Sequence, residues 1–246
     1  MSGKVGSITT SIIVDGLVIN IDAANRASYP KTGTTWVDTI NGNNGTLTNG
    51  PAFNSANGGS IDFDGNDDHV VTSINQTSFD FNTHTFSIWV KVNSDDSGEP
   101  FGFAMSGAAT TYRFLLNRDS SGGGNSLGRV GFFGRGTGGD STIFSFEFNP
   151  SVNDGNWHNI VFVFSSMLDK NVTAYYDGAP FSISITRTGS PNMGTTSFPA
   201  FIGAVNKEGS ILNPFDGNIA NIQIYNSVLS ASEVLHNYNA LKDRFI

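Results

Sequence analysis

The sequence contains no cysteine, so it has neither a disulfide framework nor a thiolate metal site, and stability must come from the core. Charge is scarce as well: 14% of residues are Asp, Glu, Lys or Arg, and glutamate occurs only at Glu99, Glu147, Glu208 and Glu233. Long solvent-exposed helices laced with ion pairs are thereby excluded. Basic residues number 13 against 21 acidic, a net charge of -8, which argues against nucleic acid as a partner because phosphate binding needs clustered Lys and Arg. The longest strictly apolar run, residues 160–164, is far too short to cross a bilayer, so a soluble chain without membrane insertion is expected. The cluster Ile12, Ile13 and Val14 is likewise too short for a secretory signal, and none is expected. The four histidines, His69, His84, His158 and His236, are scattered and form no H-x-x-x-H pair.

What the chain does have is 29 glycines and 20 phenylalanines, the composition of many short strands joined by tight turns. Leu17, Ile19 and Ile21 alternate with polar neighbours, as do the rows Phe86, Ile88, Val90 and Phe144, Phe146, Phe148, and each row predicts one core-facing strand side. Between the first strand and Ser60 lies a stretch dense in Asn, Gly, Thr and Pro that reads as one long connection. Further strands are predicted over residues 60–64, 69–72, 85–92, 101–105, 112–116, 129–134, 142–148, 157–164, 172–177, 181–185, 201–203 and 217–225. A dozen strands without intervening helices predict two packed antiparallel sheets. The one strong helix signal is the capping box of Ser230 and Glu233, with Leu229 and Val234 at hydrophobic-staple spacing. That helix is expected to close the rim of the sandwich. Residues 1–15 read as an arm and residues 16–246 as one domain.

Five ordered motifs resemble the concanavalin A-like or laminin-G-like jelly-roll domains. They are the turn Phe63-Asp64-Gly65-Asn66-Asp67-Asp68-His69-Val70, the strand Phe86-Ser87-Ile88-Trp89-Val90, the segment Trp157-His158-Asn159-Ile160, the hairpin Tyr175-Tyr176-Asp177-Gly178, and the closing Phe215-Asp216-Gly217-Asn218-Ile219-Ala220 with Leu229-Ser230. The resemblance implies an all-β, two-sheet antiparallel jelly-roll sandwich with a short C-terminal helix, its tryptophans filling the sandwich. Such relatives include lectins, hydrolases, adhesins and viral surface proteins, so the fold leaves function open. The run of residues 16–57, with Gly33-Thr34-Thr35-Trp36, further resembles virion structural proteins of tailed bacteriophages. That resemblance implies a non-enzymatic capsid decoration or fibre-type subunit in the virion, a homo-oligomer attached to capsid or tail proteins. A carbohydrate-binding lectin or adhesin on a phage or bacterial cell surface, contacting a cell-surface glycan, is the alternative, and a glycoside hydrolase the second.

No catalytic residue is assigned. Laminarinase-type relatives place two or three acids on alternate residues of one strand, whereas Glu147 stands alone among Phe144, Phe146 and Phe148. Gly134-Arg135-Gly136-Thr137-Gly138-Gly139 matches a dinucleotide fingerprint by letter, but a strand and not a helix is predicted to follow it. A sugar-binding face needs an exposed ring beside polar groups, and the candidates are Trp36 and Tyr112 with Arg113 and Asn117. Asp64, Asp67 and Asp68 concentrate the oxygen ligands that calcium prefers, and no other cofactor is expected.

Overall fold

The computed structural model describes residues 11–246 except 76, 94–97, 105–110, 119–124, 151 and 192–197; for 104, 117, 118, 125–128, 139 and 140 it describes the backbone alone. Two antiparallel sheets pack face to face. The first has eight strands, in the order Ala179–Phe181, Asn171–Tyr176, Trp157–Ser166, His84–Val92, Asp216–Tyr225, Ser60–Asp64 and Ala52–Asn54, with Leu17–Asp22 pairing the second half of Asp216–Tyr225. The second has eleven and runs Ser184–Thr188, Ile143–Phe148, Asn125–Arg135, Thr111–Arg118, Gly98–Ala104, Phe201–Ile202, His69–Thr72, Gly45–Thr48 and Thr35–Trp36. Its remaining two strands, Val205–Lys207 and Ser210–Leu212, form a hairpin that docks in parallel on Gly98–Ala104.

The period-2 rows do what alternation dictates. Phe86, Ile88, Val90 and Val92 from one sheet meet Phe114, Phe132, Phe144, Phe146 and Phe148 from the other, all buried. Phenylalanine dominates because aromatic rings fill the space between sheets and interlock edge to face. Phe146 meets Phe162 at 5.0 Å with ring planes 86° apart.

The stretch before Ser60 is not one connection. It holds the short strands Thr35–Trp36, Gly45–Thr48 and Ala52–Asn54. These are too brief and too polar for periodicity to register. Asp38 organises the loop between two of them, accepting hydrogen bonds from the backbone N–H groups of Asn20, Ile40, Asn41 and Asn43. Residues 181–185 are not one strand either: the chain leaves the first sheet at Phe181 and enters the second at Ser184.

The capping box and staple form as expected. Ser230 accepts from the Glu233 N–H at 3.3 Å, Ser230 N–H donates to Glu233 at 2.8 Å, and Leu229 and Val234 share one buried cluster. The helix, Ala231–Leu241, lies across the outer face of the eight-stranded sheet and not at its rim. There Trp89 stacks on Tyr238 at 5.5 Å and on Phe245 at 4.2 Å, with Trp157 and Ala220 beside them. Trp89 and Trp157 are thus buried outside the sandwich, on the strand side opposite Phe86 and Ile88. The Asp177-Gly178 turn passes beneath this helix with φ of 50° and 78°, and a Cβ on Gly178 would lie 2.8 Å from the Tyr238 ring.

Of residues 1–15, the first ten lie outside the described residues. Ile12 and Ile13 pack on the cluster of Leu17, Tyr225, Leu229 and Val234, and Ile13 N–H donates to Asn237 Oδ1 at 2.8 Å.

Candidate binding face

The outer face of the eleven-stranded sheet carries the residues opposite the phenylalanine rows. In Thr111–Arg118, Tyr112, Phe114 and Leu116 point into the core, which sends Arg113 outward. Phe133 stands directly across from Arg113 in the neighbouring strand, and its ring centroid lies 5.7 Å from the guanidinium carbon. Phe133 is only partly buried, so part of its ring meets solvent. Arg113 is fixed by an ion pair with Glu99, a carboxylate with 0% exposure that also accepts from Asn213 Nδ2 at 2.6 Å. One strand further on, Glu147 pairs with Arg129. Gly131 lies between these pairs with no side chain, and a Cβ there would sit 2.9 Å from the Phe146 carbonyl oxygen. The face therefore presents a partly exposed aromatic ring, two guanidinium groups and the Glu147 carboxylate, with the Arg113 charge held rigidly by its buried partner Glu99.

Of the four residues expected to bind sugar, Arg113 is on this face. Trp36 and Tyr112 are corrections: they are 0% and 1% exposed and sit in the core between the sheets. Tyr112 donates to or accepts from His84 Nε2 at 2.9 Å, and burial pushes its phenol well up while pushing His84 down to about 3. The alternation of Tyr112 with Phe114 and Leu116 was the signal that placed it inward. The side chain of Asn117 lies outside the described residues. Phe133, Glu99 and Asn213 were not singled out from sequence. Phe133 was legible as the outward neighbour of Phe132, whereas Asn213 reaches Glu99 only through tertiary folding.

The three candidate calcium ligands do converge. One carboxylate oxygen from each of Asp64, Asp67 and Asp68 lies within 4.8 Å of the others. Asp68 is buried and accepts from the Asp64 N–H at 3.1 Å; burial, and then its acidic neighbours, raise its carboxyl. Hydrogen bonds from Asn66 lower that of Asp64. A hard cation taking oxygen ligands fits this donor set. The glycine-rich run 134–139 leads into a single 3-10 turn and then the strand Ile143–Phe148, with no α-helix to receive a pyrophosphate.

Comparison with solved structures returns the same sandwich. The receptor-binding domain of a botulinum neurotoxin C/D mosaic serotype aligns over 92% of this chain and 51% of its own, with a TM-score of 0.63 and 11% identity. The binding domain of botulinum neurotoxin serotype D aligns over 91% and 51%, with a TM-score of 0.60 and 11% identity. A mutant NanB sialidase from Streptococcus pneumoniae aligns over 72% of this chain and 27% of its own, with a TM-score of 0.53 and 21% identity. The chain thus spans about half the length of the toxin domains and about a quarter of the sialidase. Comparison with curated proteins finds no match. The family model described as the concanavalin A-like lectin/glucanases superfamily matches residues 64–235, most of the chain, and the protein belongs to that superfamily.

Proposed function

We propose that this chain is a non-catalytic carbohydrate-binding module that reads a glycan on the outer face of its eleven-stranded sheet. The observation that carries this reading is the partly exposed Phe133 ring beside the fixed Arg113, on a face of a lectin-superfamily sandwich. Sugar C–H faces stack on aromatic rings while hydroxyls bond to guanidinium, carboxylate and amide groups. The buried Glu99–Arg113 pair pre-organises those groups, which lowers the entropy cost of binding. Two carboxylates working on a glycosidic bond must face each other across the sugar, and here Glu99 and Glu147 are each bound to an arginine, which favours binding over hydrolysis.

Virion attachment rests on the resemblance of residues 16–57, which lie outside the matched region, and the lectin reading supersedes it. Within that reading, Asp64, Asp67 and Asp68 serve as a calcium site that stiffens the turn between two strands, supported by their convergence within 4.8 Å. A glycan array probed with the whole chain tests the main reading. Binding is expected, and Phe133→Ala should abolish it while the chain stays folded by circular dichroism. A blank array overturns it.

A further inference from the structure

On the opposite side of the molecule the terminal helix leaves part of the eight-stranded sheet uncovered, and a pocket of about 370 Å³ opens there. Its floor is Asn20, Asp22 and Gln223, and its walls are Ile12, Ala240 and Leu241. The floor is set by strand register: Asn20 pairs with Gln223 and Asp22 with Asn221, so the four polar side chains form one patch on the outer face.

This patch is short of hydrogen-bond partners. Gln223 is 2% exposed, and among the described residues its Oε1 takes only a long 3.5 Å contact from the Tyr225 hydroxyl. Asn20 Oδ1 is buried with no partner among the described residues. Asn221, on the same sheet face but outside the pocket lining, is 1% exposed, and neither its Oδ1 nor its Nδ2 has a partner among the described residues. Buried amides left unpaired carry a desolvation cost, and such clusters in native structures point to groups brought in from outside. Charge narrows the ligand. Asp22 on the floor is neutralised by Arg244 at 3.0 Å, and among the described residues no other charged side chain lines the pocket. A ligand there meets amide donors and acceptors below and the aliphatic surfaces of Ile12 and Leu241 beside it.

We infer that this pocket is a second binding site, for a neutral polyhydroxylated ligand of monosaccharide size, independent of the face around Phe133. Hydroxyls pair with the Asn20 and Gln223 amides and the Asp22 carboxylate, and the C–H face rests on Ile12 and Leu241. The site is built where the two ends of the described chain meet, since Ile12 and Ala240 are brought together by the bonds of the 11–13 segment to His236 and Asn237.

Amide chemical shifts of the whole chain, titrated with methyl α-glucopyranoside, methyl β-galactopyranoside, myo-inositol and N-acetylneuraminic acid, test the inference. Shifts are expected at Asn20, Gln223 and Ala240 with at least one neutral probe and none there with the anionic acid. A methyl glycoside response identifies the terminal residue of a glycan, and a response to inositol alone identifies a free polyol. Gln223→Leu should weaken the binding by about tenfold or more. Ala240→Trp, which blocks the mouth without touching the floor, should abolish it, and Phe133→Ala should leave it intact. No response to any neutral probe, or binding that survives Ala240→Trp, overturns the site.

Discussion

The Nδ1 of His158 lies 2.9 Å from Oδ2 of Asp177, and this bond ties the strand Trp157–Ser166 to the turn that ends its neighbour. The other oxygen of Asp177 accepts from the Asn159 N–H at 2.8 Å, and the far side of the imidazole bonds Asp154 at 2.9 Å. Two of the sequence motifs, one containing His158 and the other Asp177, are thus the two halves of a single clamp.

The clamp makes stability depend on pH. Burial alone lowers the His158 ring, but its bonds to Asp177 and Asp154 outweigh that and leave it above 6.5. Burial alone raises Asp154, but bonds from His158 and Asn156 hold it at about 2, below 3.8. A raised histidine contributes fully below pH 6.5 and its contribution is lost as pH rises through the folded value. A lowered carboxylate contributes above pH 3.8 and is lost as pH falls toward about 2. Replacing His158→Gln should therefore cost about 1–2 kcal/mol between roughly pH 4 and 6, and less as pH rises through the folded value of the ring. Denaturant melts across that range check it; a constant difference at all pH values refutes the clamp.

His84 acts in the opposite direction. It is fully buried among Phe79, Phe164 and Tyr112, and burial holds it at about 3. Its depressed value means stability present above pH 6.5 and lost progressively as pH falls toward 3, because only the unfolded chain takes up the proton there. The double variant His84→Phe with Tyr112→Phe removes the group and its hydrogen-bond partner together, so no orphan is left. Its acid-unfolding midpoint should shift to lower pH than that of the wild type.

Glu99 anchors Arg113 on the candidate face. Replacing it with Ala leaves the largely buried Arg113 without its carboxylate, and a loss of about 3–5 kcal/mol is expected from denaturant melts. Glu147→Ala, whose arginine partner is 39% exposed, should cost less than about 1 kcal/mol.

Millimolar calcium should raise the melting temperature, and calorimetry should record heat that a chelator reverses. Asp67→Asn removes one exposed ligand and should abolish both signals while leaving the fold intact.

Much of the fold was legible in sequence because strand periodicity and tight-turn residues act locally. The rows Phe86–Val90 and Phe144–Phe148, the Ser230 cap and the Asp177-Gly178 turn all sit where alternation and turn chemistry put them. The strands Thr35–Trp36, Gly45–Thr48 and Ala52–Asn54 were not legible, since they are made by their partners and carry too few apolar residues for a period. Among the sugar candidates, Trp36 was misplaced for a related reason. Trp36 follows the polar run Gly33-Thr34-Thr35, but the space it fills belongs to residues distant in the chain.

By itself, then, the order of residues determined the class of fold, the strand faces and the capped helix, because each depends on neighbours a few positions apart. The tertiary structure decided which face each tryptophan occupies, where the helix docks, and that Glu99, Asn213 and Arg113 meet. Those outcomes depend on which sheet faces pack and on pairings between residues more than a hundred positions apart, and local pattern carries no information about either.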